Sequence, residues 1–150
     1  MSTVHYGSLI LGIKLSDIKD LSVEKITEPY EVFDKHGNPT GKMDVDIFYK
    51  LKFKDRERKV TKVCVSNIEE ILQLTGGFKV YDLDNYSYLS LELDSTVLGI
   101  KLSDQYNFLH DKKFDEIELS PEDLTLVRTD IKNKLGIDIL PKLYLSIKTC

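Results

Sequence analysis

Three histidines (His5, His36, His110) and two cysteines (Cys64, Cys150) are the residues here with the chemistry to ligate a soft metal or act as a thiolate. No two of them stand at the spacing of a zinc ligand pair, so a zinc centre is not expected. His36 falls in a turn rich in Gly and Pro, and His110 in a polar stretch; both read as solvated. Cys64, between Val63 and Val65, reads as a small core hydrophobe, and Cys150 is the last residue, with nothing after it to form a prenylation signal. A disulfide framework would need more cysteines. Asp82-Leu83-Asp84-Asn85 begins like a calcium loop but runs into an aromatic segment without the later glycine and glutamate.

Nucleophilic and phosphate-binding motifs are equally thin. The chain has no Gly-x-Ser-x-Gly, no Walker loop and no dinucleotide fingerprint. Gly76-Gly77 follows an apolar helical stripe, which is the place of a helix stop. Asp44 and Asp46 share one face of a strand and have the spacing of an acid/base pair, although exposed acids on a hairpin are more often solubilising. No cofactor is implied.

Charge segregation is the stronger signal. Between Lys50 and Lys62 stand seven basic residues (Lys50, Lys52, Lys54, Arg56, Arg58, Lys59, Lys62) against two acids, whereas Asp82 to Asp123 holds eleven acids against three lysines. On a projecting turn, Lys50, Lys52, Lys54, Arg56, Arg58 and Lys59 would form a cationic ridge able to meet phosphates or an acidic protein. The competing reading is that these lysines guard a sheet edge against aggregation, or that the acidic half folds against them. The net charge of −4 disfavours general nucleic-acid affinity.

These residues must be positioned by a framework, and the sequence marks one. Leu-Gly-Ile-Lys-Leu-Ser-Asp occurs at 11–17 and again at 98–104. Leu9, Leu11, Ile13 and Leu15 alternate with polar or small residues, as do Leu98, Ile100 and Leu102, which is the period of a half-buried strand. Gly12 and Gly99 fall on the other face and suggest a bulge or a close backbone approach. Ser16-Asp17 and Ser103-Asp104 would end the two strands as turns, and as equivalent loops would line a pseudo-symmetric ligand site or dimer seam.

Each repeat is followed by a helix. The first is expected to open at Ser66, to bury Ile68, Ile71 and Leu72, and to stop at Gly76-Gly77. The second opens at Ser120 with Pro121 in the first helical position, carries Leu124, Val127, Ile131 and Leu135 inward, and stops at Gly136. Strands follow at 78–81 and 142–147, and another is expected over 86–94. The first half is longer by 33 residues, the size of an inserted β-hairpin. Its best strand is the alternation Met43, Val45, Ile47, Tyr49, Leu51, Phe53. A partner strand near Tyr30–Phe33, marked as an edge or broken strand by Pro29, precedes it across a loop at 34–41. A turn at 54–59 leads to a third strand at 60–65.

The reading is an α+β protein with a mainly antiparallel sheet of about seven or eight strands and two helices on one face. It is a single compact domain over 1–150, with pseudo-repeats 1–82 and 88–150. At this length a core needs no disulfide or metal staple. No apolar run reaches the ~20 residues of a membrane helix and no signal peptide is visible, so a cytoplasmic location is expected. The chain lacks alanine, which suits a low-GC genome such as that of a phage or mobile element, and leaves helix formation to caps and packing. The expected role is non-enzymatic: a small inhibitor or regulator that binds a protein partner through its hairpin and sheet edge. Nucleotide or nucleic-acid binding at the basic hairpin and an enzyme of unfamiliar type are the alternatives, and a homodimer through an unpaired edge suits all three.

Overall fold

In the computed structural model, residues 5–83, 90–106 and 120–149 are described. The elements run in the order β1 (His5–Lys14), β2 (Leu21–Phe33), β3 (Pro39–Phe53), β4 (Arg56–Val60), α1 (Val65–Leu72), β5 (Lys79–Asp82), β6 (Thr96–Tyr106), α2 (Pro121–Leu135) and β7 (Lys142–Thr149). Short 3₁₀ turns at Leu15–Asp17 and Leu93–Ser95 follow β1 and precede β6. Among the described residues seven strands pair antiparallel, in two sheets where one was expected: β5-β6-β1-β7 and β2-β3-β4. The inserted segment forms the whole second sheet.

The two heptapeptides pair with each other. In the antiparallel β1–β6 ladder Gly12 stands opposite Gly99, Leu11 opposite Ile100 and Ile13 opposite Leu98. A Cβ on Gly12 would collide with the Leu98 carbonyl oxygen and sit 2.8 Å from the Gly99 Cα; one on Gly99 would collide with the Leu11 carbonyl and sit 2.8 Å from the Gly12 Cα. The glycines are therefore required by close backbone approach. The bulge lies further along, where Ile10 faces Lys101 but Leu9 faces Ser103, leaving Leu102 as the extra residue.

The flanking strands repeat this relation. Lys79, Val80 and Tyr81 of β5 stand opposite Gly99, Leu98 and Val97, as Lys142, Leu143 and Tyr144 of β7 stand opposite Gly12, Leu11 and Ile10. Lys-Val-Tyr and Lys-Leu-Tyr thus hold corresponding positions about the glycine pair.

The helices lie where the sequence puts them, with α1 shifted at both ends. α2 has Ser120 as N-cap, its hydroxyl accepting from the Asp123 N–H at 3.0 Å, Pro121 in the first position and Gly136 at φ 72° as C-cap. α1 starts earlier than expected, with Cys64 as N-cap instead of Ser66: the Cys64 N–H donates to the Asn67 side chain at 2.9 Å, which fixes the first turn. Cys64 is accordingly half-buried at a helix start, not a core residue. Gln73 ends α1 in the left-handed conformation, before the glycines.

One hydrophobic cluster joins both sheets and both helices. It holds Leu11, Ile13, Leu98 and Val80 from the first sheet, Leu21, Leu51 and Phe53 from the second, Ile68, Ile71 and Leu72 from α1, and Val127, Ile131 and Leu135 from α2. Of the strand expected over 86–94, residues 86–89 lie outside the described residues. Residues 93–95 form a 3₁₀ turn instead of strand, and Leu91 donates its N–H to the Val63 carbonyl.

Candidate functional site

The β2–β3 pair is a ribbon that outruns the body of the protein. Its root is packed: Leu51 and Phe53 are 0% and 1% exposed, with Leu21 paired to Phe53 and Val23 to Leu51. Further out the same alternation continues with nothing over it. Met43 is 64% exposed, Val45 47% and Ile47 46%, on the face that Leu51 and Phe53 use for the core. Opposite them on β2 are Glu31, Pro29 and Thr27, all exposed. The pattern that builds the core therefore runs past its edge as an apolar overhang.

The ribbon is well specified locally. At its tip the Asp34 side chain accepts the N–H groups of His36 and Asn38, each at 2.9 Å, and Asp34 and Asn38 also pair through their backbones. That closes the loop at Asn38, so β3 begins at Pro39, earlier than expected. Gly41 at φ 72° carries the register shift between Glu31 and Phe33. Pro29, which cannot donate to a ladder, sits on β2, an edge strand that it does not break.

β4 covers only Tyr49 to Phe53 of β3. Phe53 and Arg56 close a two-residue hairpin, so odd residues of β3 point their backbone groups toward β4 and continue to do so beyond its end. The Val45 N–H, on that outer side, is taken by the Asp44 carboxylate at 2.8 Å. Tyr30 donates its hydroxyl to the same carboxylate at 3.3 Å, and the Asp44 charge raises the phenol above its ordinary range, with a further push from Asp46. Asp44 and Asp46 therefore dress the polar face and the edge of the ribbon.

The basic residues do not form one ridge. The turn is only Lys54-Asp55, Lys54 taking the positive φ of 56° that such a turn needs, and 56–60 is strand. Alternation then divides the cations. Lys50, Lys52 and Lys59 lie on the face away from the core, with Lys59 directly opposite Lys50, while Arg56 and Arg58 oppose Phe53 and Leu51 on the core side. Acids are interleaved: Lys50 pairs with Glu57, Arg58 with Glu70 of α1, and Lys59 with Glu28 at 3.5 Å. Lys59 also lies 4.0 Å from the Phe48 ring centre, and Lys54 and Arg56 each 5.3 Å from that of Phe53. Arg56, Glu57, Arg58, Glu70, Ile71 and Gln73 line a pocket of about 450 Å³, into which two cations and two acids contribute equally.

The Ser-Asp pairs do not form equivalent loops either. Ser16 and Asp17 close β1 in the 3₁₀ turn, whereas Ser103 and Asp104 continue β6, paired with Leu9 and Ser8. Because the repeats pair antiparallel, their C-terminal ends lie at opposite ends of the ladder. Asp17 is instead close enough to Tyr144 of β7 that its charge adds to burial in raising that phenol. His110 and Cys150 lie outside the described residues. Among the described residues no group of three His, Cys, Asp or Glu could hold a metal ion, and no helix is long and apolar enough to cross a membrane.

The alternation over 43–53 is legible in the sequence as a strand of the inserted hairpin, but not the point along it where burial stops. The missed signal is the acid at every second position: Asp44 and Asp46 give way to Lys50 and Lys52 where the strand enters the body. Comparison of this chain with protein-family models, with curated proteins and with solved structures finds no match.

Proposed function

We propose that this chain acts by binding a protein partner at the apolar overhang of the β2–β3 ribbon. The observation that carries the reading is the exposure of Met43, Val45 and Ile47 on the same strand face that buries Leu51 and Phe53. Three large apolar side chains in a row on one strand face are costly to leave in water, at ~25 cal/mol per Å² of apolar area that a partner would remove from it. A two-stranded ribbon without a covered face is also only marginally stable alone, so covering it adds order as well as burial. The division of the basic residues over two faces, with acids among them, favours a protein partner over a polyphosphate.

The test is capture from a lysate of the source organism, with and without nuclease, by the wild-type chain and by Val45→Asp/Ile47→Lys. Both substitutions are on the overhang and outside the core. A nuclease-resistant protein retained by the wild type and lost by the variant supports the reading. Equal retention by the two chains, or a partner that disappears with nuclease, contradicts it.

A further inference from the structure

Resting on that reading, we infer that the partner supplies an extended segment, apolar at alternate positions with Lys or Arg between, which pairs with the open edge of β3. β4 pairs with β3 only from Tyr49 to Phe53, while β3 itself runs back to Pro39. The odd residues of β3 turn their backbone groups to the β4 side. Past Tyr49, the N–H and C=O groups of Ile47, Val45 and Met43 therefore face outward along a row that β4 does not reach. Residues 39–47 are exposed. Among the described residues no backbone group pairs with β3 on that side beyond Tyr49, and only the Asp44 carboxylate, on the Val45 N–H, occupies the row.

The other edge of the ribbon is guarded. The even residues of β3 bond to β2, so the residues of β2 that stand opposite odd ones turn their own backbone outward. Pro29, opposite Val45, is one of these. Its missing N–H falls on the outer edge of β2, where it costs the ladder nothing and denies an incoming strand a donor. β3 has no proline after Pro39. Strand addition is thus directed to β3.

A strand added there continues β4 in line and runs antiparallel to β3. Residues directly opposite share a face, so those facing Met43, Val45 and Ile47 extend the apolar row onto which the rest of the partner folds. Each of the three exchanges two backbone hydrogen bonds with its neighbour on β3. The residues facing Asp44 and Asp46 hold the non-hydrogen-bonded positions, where side chains come closest. Among the described residues no cation pairs with either acid, whereas Glu28, opposite Asp46, is already met by Lys59. Lys or Arg in those two positions supplies the missing countercharge. Opposite Asp44 it also draws the carboxylate to the polar face, where Tyr30 already donates to it, and frees the Val45 N–H for the ladder.

The probe is the capped peptide Thr-Val-Lys-Val-Lys-Val-Thr, titrated into the ¹⁵N-labelled chain from about 10 µM to about 2 mM and followed by NMR. At saturation the N–H groups of Met43, Val45 and Ile47 should exchange with solvent at least about tenfold more slowly, while those of Asp44 and Asp46, turned toward β2, change little. A peptide N-methylated at its central Val loses a donor to β3 and should bind about tenfold more weakly; one N-methylated at a Lys, whose N–H points away, should bind nearly as well as the parent. Glu in place of both Lys should weaken binding about tenfold, and Asp46→Lys should weaken binding of the Lys peptide and strengthen that of the Glu peptide. Thermal melting of Asp46→Lys, expected to match the wild type, excludes misfolding as the cause. Unchanged exchange at the three odd residues, equal binding of the two N-methylated peptides, or equal binding of the Lys and Glu peptides overturns the inference. Retention of a partner in the capture experiment, lost with Val45→Asp/Ile47→Lys, would then leave docking on the apolar face standing without strand addition.

Discussion

Gly12 and Gly99 show most directly how single residues set this fold. Each lies opposite the other, and a methyl group on either would meet the facing backbone. Gly12→Ala is expected to cost about 1–3 kcal/mol, because the clash is with backbone that cannot step aside. Gly77→Ala, where nothing lies within 4 Å, should change stability by less than ~0.5 kcal/mol. Urea denaturation of the two variants decides it: equal midpoints would contradict the close approach. At the ribbon, Tyr30 offers a second test. Its phenol is raised by Asp44, so the neutral form is favoured in the folded chain. The associated stabilisation is present below pH 10 and is lost as pH rises through the higher folded value. Asp44→Asn should move the Tyr30 titration, followed by tyrosinate absorbance or NMR, back toward pH 10; an unchanged titration would remove Asp44 as the cause.

At the scale of elements, what the sequence reveals tracks how local the determining contacts are. α2 is legible almost residue by residue, since Ser120, Pro121 and Gly136 act within one turn of the helix. β3 is legible from its alternation. β2 is not: Lys25, Glu28 and Glu31 interrupt its pattern, and pairing with β3 extends it back to Leu21. α1 begins at Cys64 because the Asn67 side chain reaches back, a choice that Ser66 obscures. The cationic ridge fails for a related reason: a turn would have gathered Arg56 and Arg58 with Lys50 and Lys52, and strand alternation sends them to opposite faces. The ribbon divides energetically as well. Leu51→Ala, in the packed root, should cost ~3 kcal/mol, whereas Ile47→Ala, four residues outward, should cost less than ~1 kcal/mol. Chemical denaturation of both variants measures this, and similar losses would mean that the overhang is covered within the monomer.

For the whole molecule, the decisive relations are non-local. The repeats at 11–17 and 98–104 announce two similar strands, yet only the three-dimensional pairing shows that they bond to each other and that Lys79–Tyr81 and Lys142–Tyr144 flank them in matching registers. That pairing also explains why the two Ser-Asp segments cannot converge on one site. The β1–β6 and helix framework exposes leucines singly on and after α2 (Leu126, Leu140) and on the edge strand β7 (Leu143, Leu145), whereas the inserted sheet sets Met43, Val45 and Ile47 in a row beyond the residues that join the shared core. The functional proposal rests on that asymmetry.

The central claim is that the partner lies on the core-facing side of the ribbon, beyond the core. Val45 of β3 and Glu28 of β2 point to opposite faces of the ribbon, so a photo-crosslinking residue placed at one or the other distinguishes the faces. Irradiated in the presence of partner-containing lysate, the chain labelled at position 45 should give a defined adduct and the chain labelled at position 28 should give little. Equal adducts at both positions, or an adduct from position 28 alone, would contradict the docking surface proposed for this protein.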